Sequence, residues 1–224
     1  MDSAKTPLRL LVISPEGEDS REHAVLAELF AAGLRHYHLR KPGWARARLA
    51  AWLRALPPEF HPRIVLHTHH NLAAEFDLGG LHERDSGRAA PPDSSRMASA
   101  SSGGPGGRIR SRAVHSLAAL RSALDRRERL LFSPVFPSIS KPGHAPACSH
   151  KKLAALLALP RRAEVIALGG VDATRLPVCR ALGFDGIAVL GSVWQAADPL
   201  KAFSELQSLA AQPQPRPSLV APSS

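Results

Sequence analysis

Short apolar runs alternate with longer stretches of helical periodicity through most of the chain, and that rhythm restricts the architectures open to it. Residues 8–13 read as a strand and 22–32 as a helix closed by Gly33. The pattern repeats at 36–39 and at 44–56, where Pro57-Pro58 stops the helix, and again at 63–67, followed by a short helical stretch near 71–76. A brief strand at 80–82 comes next, then a strand at 109–114, a helix at 116–127, a strand at 130–132 and a helix at 149–159. The last two units are regular: strand 164–168 with helix 172–182, and strand 186–190 with helix 198–209. Eight such units in 224 residues predict an α/β fold, a single closed (β/α)8 TIM barrel, with an open doubly wound sheet as the structural alternative. No G-x-G-x-x-G or G-x-x-x-x-G-K-S/T segment follows any strand, so neither a dinucleotide site nor a P-loop is supported.

The predicted barrel occupies residues 1–210, with an insertion at 84–108 rich in Gly, Ser, Pro and Ala and a Pro/Ser-rich tail at 211–224. Both read as flexible, because they hold too little apolar surface to offset the entropy of ordering them. A formal net charge of +10 would suit a nucleic-acid binder, but the 29 Lys and Arg residues are spread along the chain with no aromatic-interleaved patch, so no nucleic-acid partner is expected. A general positive field favours phosphorylated metabolites instead. Two cysteines, Cys148 and Cys179, form no C-x-x-C pair, which suits a reducing cytoplasm. The opening MDSAKTPLRLLVIS has no long apolar segment before a cleavage site, and no apolar run approaches the roughly 18 residues of a membrane span. A cytoplasmic protein without membrane contact is expected.

In a parallel barrel the chemistry sits at the carboxyl ends of the strands. Those positions are polar here: His38, Arg40 and Lys41 after the second strand, and His67, Thr68, His69 and His70 after the third. His82, His115, Ser138, Ser140 and Lys141 follow the fourth, fifth and sixth. Strand alternation would place His67 and His69 on one face, an H-x-H arrangement that can ligate a divalent metal if His38, His82, His115 or Asp85 completes the set. The strongest local signal is Gly169-Gly170 ending the seventh strand with Gly191-Ser192 ending the eighth. Glycine lets backbone N–H groups close on an anion, and turns seven and eight are the usual barrel phosphate site; a tight turn alone is the plainer reading.

HLRKP at 38–42 resembles Q-L-R-E-K, GLHERD at 80–85 resembles G-V-H-L-G, and AVHSL at 113–117 resembles S-x-H-S. SPVFPSISKPG at 133–143 resembles G-P-V-F-x-T-x-T-K-x-G. VIALGGVDATRL at 165–176 and ALGFDGIAVLGSVW at 181–194 resemble A-I-G-G-I and A-G-A-D-G-V-A-V. In this order and spacing these are motifs of the thiamin phosphate synthase and TenI family, and the resemblance covers the chain from about residue 8 to 203.

The resemblance implies a barrel acting in thiamin biosynthesis on a thiazole phosphate. A synthase couples it to hydroxymethylpyrimidine diphosphate with Mg²⁺, whereas a TenI-type tautomerase isomerises the thiazole carboxylate phosphate. Carried over by motif, Gly169, Gly170, Gly191 and Ser192 hold the phosphate, Arg40 and Lys141 neutralise the diphosphate or carboxylate, and His38, His67, Ser138 and Ser140 contact substrate. His115 stands where the tautomerase type moves a proton, a task an imidazole with a pKa near about 6.5 can perform at neutral pH. The family's Asn-Asp pair after the third strand falls on His67-Thr68, and its second Asp has only Asp85 as a stand-in. Mg²⁺ prefers carboxylates, so that cofactor is left open. Lys41 and Pro42 stand at the motif's Glu and Lys, and Ala113 at its Ser. A non-catalytic sensor of a phosphorylated ligand is the alternative from another class, and a homodimer is left open.

Overall fold

Alternation along each strand decides which side chains face the helices and which fill the barrel. The structure is a computed structural model that describes residues 7–85, 108–137 and 148–212, and every structural statement concerns these. Strands β1 (Arg9–Ile13), β2 (Tyr37–Leu39), β3 (Ile64–Leu66), β4 (Gly80–Glu83), β5 (Ile109–Val114), β6 (Arg129–Phe132), β7 (Glu164–Ala167) and β8 (Gly186–Val189) close in sequence order into one parallel barrel. The register runs from Val12 against Tyr37 on β1 and β2 to Arg9 against Gly186 where β1 meets β8. The open sheet is therefore excluded.

Helices α1 (Glu22–Ala31), α2 (Arg46–Ala55), α3 (Leu72–Glu75), α4 (Leu117–Ala123), α5 (His150–Leu157), α6 (Leu176–Leu182), α7 (Gly191–Trp194) and α8 (Pro199–Ala211) lie between and after the strands. Tyr37, Leu39, Ile64, Leu66, Leu130, Phe132, Val165, Ala167, Ile187 and Val189 pack outward with helix residues such as Leu26, Leu53 and Phe203 in one core. A separate small cluster of Leu11, Ile13, Leu131, Ile166 and Ala188 fills part of the lumen. At the foot of the barrel Glu164, which opens β7, pairs with Arg129 at 2.7 Å and with Arg9, so the first residues of β1, β6 and β7 close that end with an ion cluster.

Three departures from the expected elements have local causes. The Pro57-Pro58 stop continues as a 3-10 helix, Pro58–Arg63, since proline suits a first helical turn and Pro62 bars an α-helix there. Helix α4 ends before residue 127 because Asp125, Arg126, Arg127 and Glu128 offer nothing apolar to bury. The 172–182 helix divides into a 3-10 turn, Ala173–Arg175, capped by Asp172, and α6, because Pro177 is tolerated only in an opening turn. Most of the predicted 84–108 insertion and nearly all of the predicted tail lie outside the described residues. Among the described residues no helix is long and apolar enough to cross a membrane.

Candidate functional site

The barrel mouth at the strand carboxyl ends is built from unlike pieces. Between β1 and β2, Ser14 Oγ accepts from the Arg40 amide at 2.8 Å and donates to the Arg40 carbonyl at 2.9 Å, which fixes the chain just as it leaves β2. The Arg40 guanidinium stays at the rim and pairs with Glu16. Lys41, polar and at a strand end, is not part of the mouth. It is fully buried, its Nζ donating to the carbonyls of Pro15 (2.9 Å) and Gly17 (2.8 Å) and to Glu22 Oε2 at 2.5 Å. Tyr37 donates to the other Glu22 oxygen at 2.7 Å. Burial pushes the Glu22 carboxyl above the usual range while Lys41 and Tyr37 pull against it. The next side chain is thereby spent on holding the β1 loop.

Inside the mouth three imidazoles from adjacent strands meet. His38 Nδ1 lies 3.0 Å from His67 Nε2, and the His67 and His82 rings stack with centroids 4.0 Å apart. One nitrogen from each of His38, His67 and His82 falls within 4.8 Å of the others. His38 is wholly buried and its Nε2 has no hydrogen-bond partner. His82 Nδ1 is 2.9 Å from Ser111 Oγ on β5, and that hydroxyl donates to the Leu81 carbonyl at 3.2 Å. Burial drives all three imidazoles toward the neutral form: His38 and His67 lie far below the ordinary histidine range, and His82 falls to about 3, lowered further by His70 and Arg40. Nearby cations add to the effect because a second positive charge in a dry lumen is repelled.

The expected H-x-H pairing of His67 with His69 does not form. Strand β3 ends at Leu66, His69 has a positive φ of 51°, and its Nε2 turns away to the Trp44 carbonyl at 2.8 Å. His70 Nε2 lies 3.1 Å from the His82 carbonyl. His115 is exposed at the end of β5, its Nδ1 2.9 Å from the Ser133 carbonyl. Asp85 lies two residues beyond β4 and is half-buried. Ser138, Ser140 and Lys141 lie outside the described residues.

On the opposite side, Gly169 and Gly170 take φ values of +89° and +64°, and an added Cβ would strike Pro134 at 2.8 Å or the Pro137 carbonyl at 2.4 Å. Only glycine fits both the backbone and the space. Ser192 Oγ donates to the Val171 carbonyl at 2.6 Å, tying the turn after β8 to the turn after β7. Gly191 and Ser192 open α7, whose first amides have no acceptor within the helix.

Ser111 is a site residue that strand-end reasoning misses, while His82 is found there as a possible partner of His67 but without Ser111 behind it. The usable signal was period two, since residue 82 on β4 and residue 111 on β5 share the lumen face and pair in register. As metal donors, the described lumen residues offer imidazole nitrogens, while Thr68 Oγ1 is buried without a hydrogen-bond partner where a carboxylate would be needed. Mg²⁺, which takes oxygen ligands and usually carboxylates, does not fit this set.

A family model described as thiamine monophosphate synthase matches residues 10–193. A thiamine-phosphate synthase of Chromobacterium violaceum is 31% identical over 202 residues, covering 88% of this chain and 93% of that protein. One of Methanocella arvoryzae is 35% identical over 96 residues, but that match spans only 42% of this chain and 44% of the relative. The crystal structure of a thiamine phosphate pyrophosphorylase from Bacteroides thetaiotaomicron superposes with a TM-score of 0.69 at 24% identity, covering 91% of this chain and 98% of that one, a likeness that speaks to the fold.

Proposed function

The chain belongs to the thiamine monophosphate synthase family, and from that membership we propose that it is a thiamin-biosynthetic transferase that joins a thiazole phosphate to a hydroxymethylpyrimidine diphosphate and releases diphosphate. The observation that carries this reading is the two-sided mouth: Arg40 and the imidazoles of His67 and His82 end β2, β3 and β4, and glycine turns end β7 and β8 across the same opening. Each side suits one substrate. The thiazole phosphate is a dianion, and the backbone N–H groups of Gly169, Gly170, Gly191 and Ser192 receive its oxygens without a Cβ in the way at the three glycines. On the other side, breaking the carbon–oxygen bond to diphosphate sends negative charge onto the leaving group, which Arg40 and Lys141 neutralise. Neutral His38 and His67, with Ser138 and Ser140, supply hydrogen bonds to the substrate rings. Because the described lumen residues do not fit Mg²⁺, no step is routed through it.

Isomerisation of a thiazole carboxylate phosphate is supported by one observation of its own. The Ser133 carbonyl can only accept, so the His115 Nδ1 facing it at 2.9 Å carries the proton, leaving Nε2 with a lone pair at the exposed end of β5. That nitrogen can take and return a proton.

The test is detection of thiamin phosphate from the purified full chain with both substrates. Product is expected, with kcat/KM for the diphosphate substrate falling about 10- to 100-fold in Arg40→Ala, the loss of one charge-assisted contact. Absence of product while thiazole phosphate still binds would overturn the transferase in favour of the isomerase, and full isomerase activity in His115→Ala would overturn that in turn.

A further inference from the structure

Three features of the lumen point the same way. First, the hydroxyl of Ser111 has one proton and donates it to the Leu81 carbonyl, so toward His82 Nδ1 it is the acceptor. His82 is therefore held with its proton on Nδ1, and the lone pair is on Nε2. Second, His38 Nδ1 and His67 Nε2 face each other, and between two neutral rings only one of these nitrogens can carry a proton, so at least one presents a lone pair to the space between them. Third, the His38 Nδ1 to His67 Nε2 separation of 3.0 Å is close to the roughly 3.3 Å between two ligands of a tetrahedral ion bound at about 2.0 Å, and all three rings bring a nitrogen within 4.8 Å of the others. The His67 and His82 rings are stacked, so one of them must turn for its in-plane lone pair to converge on the ion with the others.

We propose that His38, His67 and His82 form a three-imidazole site for a divalent transition ion of the zinc type, with Ser111 as the residue that fixes the orientation of His82. Neutral imidazoles favour borderline ions such as Zn²⁺ or Co²⁺ over Mg²⁺. Three protein ligands leave a fourth position for water or an anionic oxygen, the arrangement of a catalytic rather than a structural ion. Access to it runs past His67, the least buried of the three rings. His69 and His70, already engaged with the carbonyls of Trp44 and His82, stand outside the set. The site goes beyond the transferase reading: an ion held by His38 and His67 replaces their direct hydrogen bonds to substrate, and its presence is read independently of the reaction the mouth performs.

The experiment is metal binding itself, read without any activity assay. The full chain is stripped with a chelator and titrated with Co²⁺, following the visible absorption of a low-coordinate cobalt ion, and Zn²⁺ content is measured after dialysis. One Co²⁺ or Zn²⁺ per chain is expected, with no comparable uptake of Mg²⁺. His67→Asn and His82→Gln should abolish the cobalt absorption, His69→Ala should leave it unchanged, and Ser111→Ala should weaken binding about 10- to 100-fold, the usual effect of losing an outer partner of a ligand. Far-UV circular dichroism separates loss of the site from loss of the fold, and a rise in wild-type Tm with Zn²⁺ that is absent in a folded His67→Asn supports the same conclusion. Absence of a stoichiometric ion in the wild type, or an unchanged cobalt spectrum in both histidine variants, overturns the proposal.

Discussion

The two sides of the barrel lumen are built on the same strand geometry and filled in opposite ways. On β1, β6, β7 and β8 the inward residues are Leu11, Ile13, Leu131, Ile166 and Ala188, an apolar plug. On β2, β4 and β5 and just past β3 they include His38, His82, Ser111 and His67, a chain of hydrogen-bonding groups of which His67 is the least buried. An eight-stranded lumen must be filled by side chains, but it does not specify their chemistry. The apolar side gains stability from contact. The imidazole side must satisfy each polar atom against a neighbour, and at His38 Nε2 it does not. Within the lumen, apolar contact and hydrogen bonding are thus assigned to different strands.

That division can be tested by breaking each side. The largest effect is expected on the apolar side: Leu131→Ala opens a cavity in a fully packed cluster and should cost about 2–5 kcal/mol in urea denaturation. A loss under 1 kcal/mol would mean the plug is dispensable. Acid should act on the polar side next. Burial lowers His36, at the foot of the barrel, to about 4 and His82 to about 3, so both are neutral in the folded chain while unfolded histidine takes up a proton near pH 6.5. Their contribution is complete above about pH 6.5 and is lost as pH falls toward the folded values, on the order of 2 kcal/mol each by pH 5. Thermal unfolding followed from pH 7.5 to 5 should show this fall, and His82→Gln should flatten it; a pH-independent Tm would refute the burial argument. The smallest effect is expected when both partners of a polar contact are replaced together. The double variant His38→Leu/His67→Leu should change stability by less than about 1 kcal/mol, because an orphaned atom and its neighbour leave at once. A large loss would show that the imidazoles carry the fold as well.

Most of this architecture is legible in the sequence because each strand is announced by a local apolar run and each helix by its own periodicity. All eight strands fall where the runs place them, with ends shifted by a residue or two. The glycine turns are equally legible, since φ values of +89° and +64° at Gly169 and Gly170 are demands on a single residue type. The histidine cluster is only partly legible: His38 and His82 stand among the candidates to join His67, but which of them do is decided by lateral strand pairing. Extrapolating alternation along one strand instead joined His67 to His69, and failed because β3 ends at Leu66 and the backbone reverses at His69. Lys41 misleads for a related reason: its charge is visible in sequence, but its partner Glu22 lies on α1, and nothing local reveals that the pair is buried.

The fit of Gly169 and Gly170 against Pro134, Phe136 and Pro137 also constrains how such a chain can change over time. A side chain at either glycine would displace the segment after β6, so those two stretches must drift together or not at all. Each histidine of the cluster, in contrast, meets only side-chain partners, which can adjust without moving a backbone segment. Inheritance should preserve the anion-facing turns as one block and leave the histidine wall as the place where descendants of this barrel diverge.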